Sequence, residues 1–131
     1  MAPSLELGQI FWLIIPLFKK KLQARPFLVY GKNEIEYTLF KITKRKKDYI
    51  PQFEFIPNNK PSGLYETSFV DSNILVYIKH DLFSYKLNET VELKEQGQSI
   101  LQKDFNKIKK KVNECFSNEK YRGNRYKVRV F

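Results

Sequence analysis

The sequence holds one cysteine, one histidine, one tryptophan, one methionine and five glycines in 131 residues. Each scarcity closes off some chemistry. A single cysteine, Cys115, allows no intramolecular disulfide, which excludes a disulfide-stapled secreted scaffold. His80 alone offers no histidine pair for zinc and no alternatives for a Ser–His–Asp set. It lies in "KHD", which reads as an exposed turn. Cys115 falls on the apolar stripe of a helix, where packing accounts for it better than nucleophilic chemistry. The glycines form neither a GxGxxG nor a Walker loop, and the carboxylates show no paired spacing. Nucleotide cofactors and two-metal phosphoryl transfer thus find no support, and no metal or cofactor is expected. Long apolar runs are lacking too. Ile10 to Phe18, "IFWLIIPLF", is nine residues long and contains Pro16, whereas a spanning helix needs about 20 residues. Glu6 precedes it and the lysines follow it, the reverse of a signal peptide. It reads as a buried strand running into a turn, and a cytoplasmic protein with no membrane partner is expected.

Aromatic and basic residues are plentiful. Hydrophobic residues make up 42% and aromatics 15%, with 11 phenylalanines and 8 tyrosines, so the chain can bury a core and is not disordered in composition. Its length suits one domain, residues 1–131, with 117–131 as a basic extension of it. The formal charge of +10 is unevenly spread: residues 1–18 carry −1, 19–47 carry +8, 48–101 carry −4 and 102–131 carry +7. Two basic blocks flanking an acidic middle favour a polyanionic partner, nucleic acid first and an acidic protein segment second.

The β-branched and aromatic runs predict strands at Gln9–Ile15, Pro26–Tyr30, Ile35–Thr43 and Tyr49–Ile56. Gly31 is expected to close the second and "GKNE" to turn the chain. "PNNKPSG" is turn chemistry. "SFVD" and "NILVYI" read as a strand followed by a strand or helical turn, and "LFSYKL" and "TVEL" continue the β pattern. Leu101, Phe105, Ile108, Val112 and Cys115/Phe116 recur at helical spacing, with lysines 103, 107, 110 and 111 on other faces. Ser99 and Gln102 have the spacing of a capping box at its start. The tail "YRGNRYKVRVF" suggests a final strand or ordered extension. Strands first and a helix late predict a mainly β fold with a C-terminal helix, a small barrel or strongly bent sheet.

The chemistry that remains is basic and hydroxylic. In "QARPFLVYG", Pro26 pushes Arg25 into extended backbone, so its guanidinium stands on a stiff mount at the mouth of a strand. Thr43 ends the next strand, and neighbouring antiparallel strands bring those two positions to one edge. RNA can be cleaved without a metal because its own 2′-OH attacks the adjacent phosphate. A guanidinium suits the phosphate oxygens through bidentate hydrogen bonds, and a threonine hydroxyl can donate or accept beside it.

The order of "LGQIFWL", "RPFLVY", a strand ending "ITK", "SGLYETSFVD", "NILVYI" and "GQSILQKDFNKIKKKVNECF" resembles the PemK/MazF family of toxin endoribonucleases over roughly Leu7 to Phe116. The resemblance implies a small SH3-like, bent β-barrel with a C-terminal helix, assembled as a homodimer. It implies metal-independent cleavage of single-stranded RNA through a 2′,3′-cyclic phosphate, with Arg25 and Thr43 as the catalytic pair. Lys19, Lys20, Lys21, Gln23, Lys44, Arg45 and Lys46 would hold the RNA. An acidic antitoxin protein would cover the same groove. Tyr30, Tyr49 and Tyr121 are candidates to stack bases, with core packing as the alternative. The lysine-rich loop before Arg25, the stretch 87–98 and the basic aromatic tail depart from the family pattern. A non-catalytic module of the same fold, binding nucleic acid or a protein partner, is the alternative function.

Overall fold

The computed structural model describes residues 5–16, 23–43, 52–55, 68–90, 96–116 and 126–130. Among these the elements run β1 (Gln9–Leu13), β2 (Arg25–Lys32), β3 (Glu36–Thr43), β4 (Gln52–Phe55), β5 (Ser68–Lys79), α1 (His80–Thr90), β6 (Gln98–Ser99), α2 (Gln102–Phe116) and β7 (Tyr126–Arg129). The strands form one mostly antiparallel sheet in the order β4-β5-β3-β2-β1-β6, and β7 joins β5 in parallel. This is a small α+β protein, in keeping with the class expected from the sequence. No helix of the described residues is long and apolar enough to cross a membrane, and Ile10–Leu13 of the apolar N-terminal run belong to β1.

Both faces of the sheet are buried. Phe11, Leu13, Phe27, Val29, Tyr37, Leu39, Val76 and Ile78 point to the first face, where α1 covers them with Phe83, Leu82 and Leu87. The intervening Ile10, Leu28, Phe40, Ile42, Val70 and Leu75 point to the second, covered by Phe105, Ile108 and Val112 of α2. The strict alternation follows from the two-residue period of a strand. Two-sided burial explains why "PFLVY" and "ILVYI" read as unbroken apolar runs.

The edges of the sheet are handled locally. The β3–β5 register jumps from Phe40↔Leu75 to Lys41↔Asp71, so residues 72–74 bulge from the ladder and bend β5. β4 pairs with Ser68–Asp71 before the bend, and β7 pairs with Ile74–Tyr77 after it. One outer edge is thereby covered in two stretches. At the opposite edge, β6 is only two residues long, and the Gln96 side chain extends it. Gln96 Oε1 accepts from the Trp12 N–H at 2.7 Å, and its Nε2 donates to the Trp12 carbonyl at 2.9 Å. The buried Thr90 hydroxyl donates to the same carbonyl at 2.6 Å, tying the end of α1 to β1.

Several sequence expectations need correction. "NILVYI" is a strand, but it continues "SFVD" as one twelve-residue β5. "HDLFSYKLNET" is the helix α1, not further strand. Its inward stripe is Phe83, Leu87 and Thr90, and the polar last member hides the helical period. Gly31 does not end its strand: β2 continues through it to Lys32, with Tyr30 the extra residue at an irregularity between Val29 and Gly31. Asn33 makes the turn, its Oδ1 accepting from the Ile35 and Glu36 N–H groups at 2.8 Å each. Positive φ falls at Gly8 (92°) and Gly97 (78°) instead. Ser99 lies in β6 opposite Gln9, and α2 begins only at Gln102, with Leu101 accepting from the Asp104 and Phe105 N–H groups. The capping-box reading therefore fails. The amphipathic helix itself is observed as α2, and the tail supplies β7.

Candidate functional site

Arg25 opens β2, half-buried, and pairs in register with Leu13 of β1. Pro26 follows it, buried, opposite Trp12. The missing proline N–H and fixed φ hold the strand entry extended, as the sequence suggested. β2 pairs with β3 as Phe27↔Lys41, Leu28↔Phe40 and Val29↔Leu39. That pairing begins two residues in from Arg25 and from Thr43, which lie at the same end of the two strands. By strand alternation both belong to the first face, since Phe27 and Val29 on β2 and Leu39 on β3 point there.

The Arg25 guanidinium has a local partner. Gln23 is exposed, and with its amide oriented to face the Arg25 donors, its oxygen accepts from Arg25. A hydrogen bond to a planar guanidinium restricts its swing and leaves its remaining N–H groups available to another acceptor. Of the residues expected to hold RNA, Gln23 is thus beside Arg25. Lys19, Lys20 and Lys21 precede it and Lys44, Arg45 and Lys46 follow Thr43, but all six lie outside the described residues.

Sequence reasoning missed two neighbours. One register step inward, Lys41 faces Asp71, and both share the face of Thr43 because Ile42 and Val70 between them point to the other side. Lys41 is half-buried, and Asp71 is a buried carboxylate at 4% exposure. Charges are rarely placed so deep without partners. The corner of the first face near the start of β2 therefore gathers Arg25, Lys41, Thr43 and Asp71. Asp71 stood in the quoted "SFVD" stretch, but one acidic residue in a strand carries no signal until register pairs it.

The other candidates are packing groups or lie elsewhere. Tyr30 stacks on Phe40 with ring centroids 4.5 Å apart and meets Phe105 edge-on at 6.1 Å, within the core of the second face. Tyr49 and Tyr121 lie outside the described residues. His80 does not sit in an exposed turn. It begins α1, half-buried, with its ring 4.2 Å from that of Tyr37 and its Nε2 buried without a hydrogen-bond partner. Burial also pushes the Tyr37 phenol above its ordinary range.

No family model matches the chain, and a search of curated proteins finds none significantly similar. The resemblance to the toxin nucleases rests on the residues and their order.

Proposed function

We propose that this protein is a PemK/MazF-like endoribonuclease, the toxin half of a toxin–antitoxin pair, with its sheet as that family's SH3-like bent barrel. The observation that supports the reading is that Arg25 opens β2 and Thr43 ends its antiparallel neighbour β3. Residues eighteen positions apart in sequence stand at the same end of two neighbouring strands, and in the sequence lysine-rich stretches precede the one and follow the other.

The chemistry follows from what those side chains can do. The substrate's 2′-oxygen attacks the adjacent phosphorus, loses its proton, and forms the cyclic phosphate as the P–O5′ bond breaks. The departing 5′-oxygen takes up a proton. Arg25 donates to the non-bridging oxygens, where charge grows in the transition state. Thr43 fixes the same phosphate through its hydroxyl. Asp71 and Lys41, one step inward, hold the charge pattern behind them. Assembly as a homodimer and capture of an acidic antitoxin segment by the basic edge complete the reading.

The test is incubation of the purified chain with a pool of single-stranded RNA in EDTA, after mass spectrometry excludes a co-purified protein. Cleavage should leave 2′,3′-cyclic phosphate ends and fall by about 100- to 1,000-fold in Arg25→Ala, with a smaller fall in Thr43→Ala. Cleavage that neither substitution reduces would overturn the assigned pair. No cleavage of any RNA would overturn catalysis and leave a non-catalytic binding module.

A further inference from the structure

Most of the exposed positions of α2 are lysine. Phe105, Ile108 and Val112 point inward, and Lys103, Lys107, Lys110 and Lys111 lie on the opposite side, all exposed. At 100° per residue, Lys103, Lys107 and Lys110 fall in one row, with Lys111 beside it. With a rise of about 1.5 Å per residue, the row from Lys103 to Lys111 spans roughly 12 Å. Among the described residues, none of these four lysines has a carboxylate within ion-pair distance. Asp104 flanks the row half-buried, and Glu114 ends it with an interaction of its own. Lys109 leaves the row to lie over the Phe105 ring, 5.4 Å from its centroid.

We infer that this lysine row is a second phosphate-binding surface for nucleic acid, on the opposite face of the sheet from Arg25 and Thr43. Like charges repeated along one exposed helix face repel one another by a few tenths of a kcal/mol per pair. A polyanion removes that repulsion and releases its own counterions. An acidic protein partner fits less well. Stable protein interfaces need an apolar or aromatic centre, and the exposed positions from Lys103 to Glu114 are all lysine, asparagine or glutamate. A row of flexible ammonium groups with no exposed aromatic or arginine side chain among them contacts chiefly the backbone. The inference holds whether or not the chain cleaves RNA.

The experiment measures binding of a 2′-O-methyl RNA strand, which has no attacking hydroxyl, across a salt series. A strand of about twenty nucleotides exceeds the footprint of one small domain. Replacing Lys103, Lys107, Lys110 and Lys111 with glutamine should lower the slope of log K against log salt by about 0.7 per lysine engaged. The paired variants Lys103→Gln/Lys110→Gln and Lys107→Gln/Lys111→Gln should each show about half of the full effect and guard against misfolding of the fourfold change. Circular dichroism should be unchanged, because every substituted side chain is exposed. A duplex DNA arm should show a similar loss at about 0.9 per lysine. Slopes equal to the parent's in folded variants would overturn the inference. So would competition by polyglutamate that depends on these lysines while oligonucleotide binding does not. Arg25→Ala should keep the α2-dependent slope difference while losing cleavage, so the two proposals fail separately.

Discussion

The two faces of the sheet carry their charge in different ways. On the second face, every inward position named in the core is apolar, and the lysines of α2 stand on the far side of the helix, in water. On the first face, α1 seals an aromatic core around Phe83, yet one corner of the sheet itself holds Arg25, Lys41, Thr43 and Asp71. Solvated lysines on a helix cost little to fold. A buried carboxylate and a half-buried guanidinium in a sheet cost more, because each is taken from water and needs partners. Charge set into the sheet is therefore the stronger sign of a built site, and charge on the helix the sign of a surface.

The largest expected effect tests whether the two faces are equally well packed. Phe83 meets Phe11 and Tyr37 edge-on, with ring centroids 5.2 and 5.1 Å away, and is fully buried. Phe105 has Tyr30 at 6.1 Å and the Lys109 ammonium over its ring. Phe→Ala in a core costs about 3–5 kcal/mol, and urea titration should put Phe83→Ala at the top of that range and Phe105→Ala lower. Reversal of that order would mean that α2, not α1, closes the tighter core.

The polar corner gives the next test. Arg25→Ala should change the unfolding free energy by no more than about 1 kcal/mol, as befits a half-buried residue at a strand end. Loss of several kcal/mol in the same titration would make the corner a structural network and break the distinction between the faces. Asp71→Ala should cost more, about 1–3 kcal/mol, because it removes the interaction made by a buried carboxylate.

Polar groups on the first face are not all of one kind. Gln96 and Thr90 join α1 to the edge of β1 through three hydrogen bonds to Trp12, and Gln96 Nε2 also donates to the Thr90 hydroxyl at 3.0 Å. Gln96→Ala should cost about 1–2 kcal/mol. Hydrogen exchange should show the Trp12 amide losing protection while amides of α2 keep theirs.

Those same residues show where the sequence was readable. β1, β2 and β3 followed from apolar and aromatic runs bounded by turn residues, and α2 from apolar residues at helical spacing with lysines between. α1 was hidden because Phe83, Tyr85 and Leu87 alternate as a strand would, while Tyr85 is exposed and the buried Thr90 gives no apolar signal. Tertiary contacts from Thr90 and Phe83, not intrinsic preference, decide that segment. Arg25 and Thr43 were legible as strand ends, and β2 does begin at Arg25 and its antiparallel neighbour β3 end at Thr43. Lys41 and Asp71 were not, because their pairing depends on the bulge at residues 72–74 in β5. No composition or period announces a bulge of that size.

The smallest expected effect sharpens the description of the aromatic part of the first face. Tyr37 is 7% exposed, its ring contacts those of His80 and Phe83, and burial raises the pKa of its phenol. In the unfolded chain the phenol ionises near its ordinary value of about 10. A folded pKa above the unfolded one means that this contribution to stability is complete below about pH 10 and is lost as pH rises from there through the folded value. Tyr37→Phe removes the ionising group but keeps the ring contacts. Parent and variant should therefore run parallel in thermal stability up to about pH 10, and the parent alone should show the extra alkaline loss beyond it. The difference between the two curves is the measurement. Curves that stay parallel above pH 10 would mean that the phenol reaches water in the folded state, and the first face would then be less tightly sealed than the second.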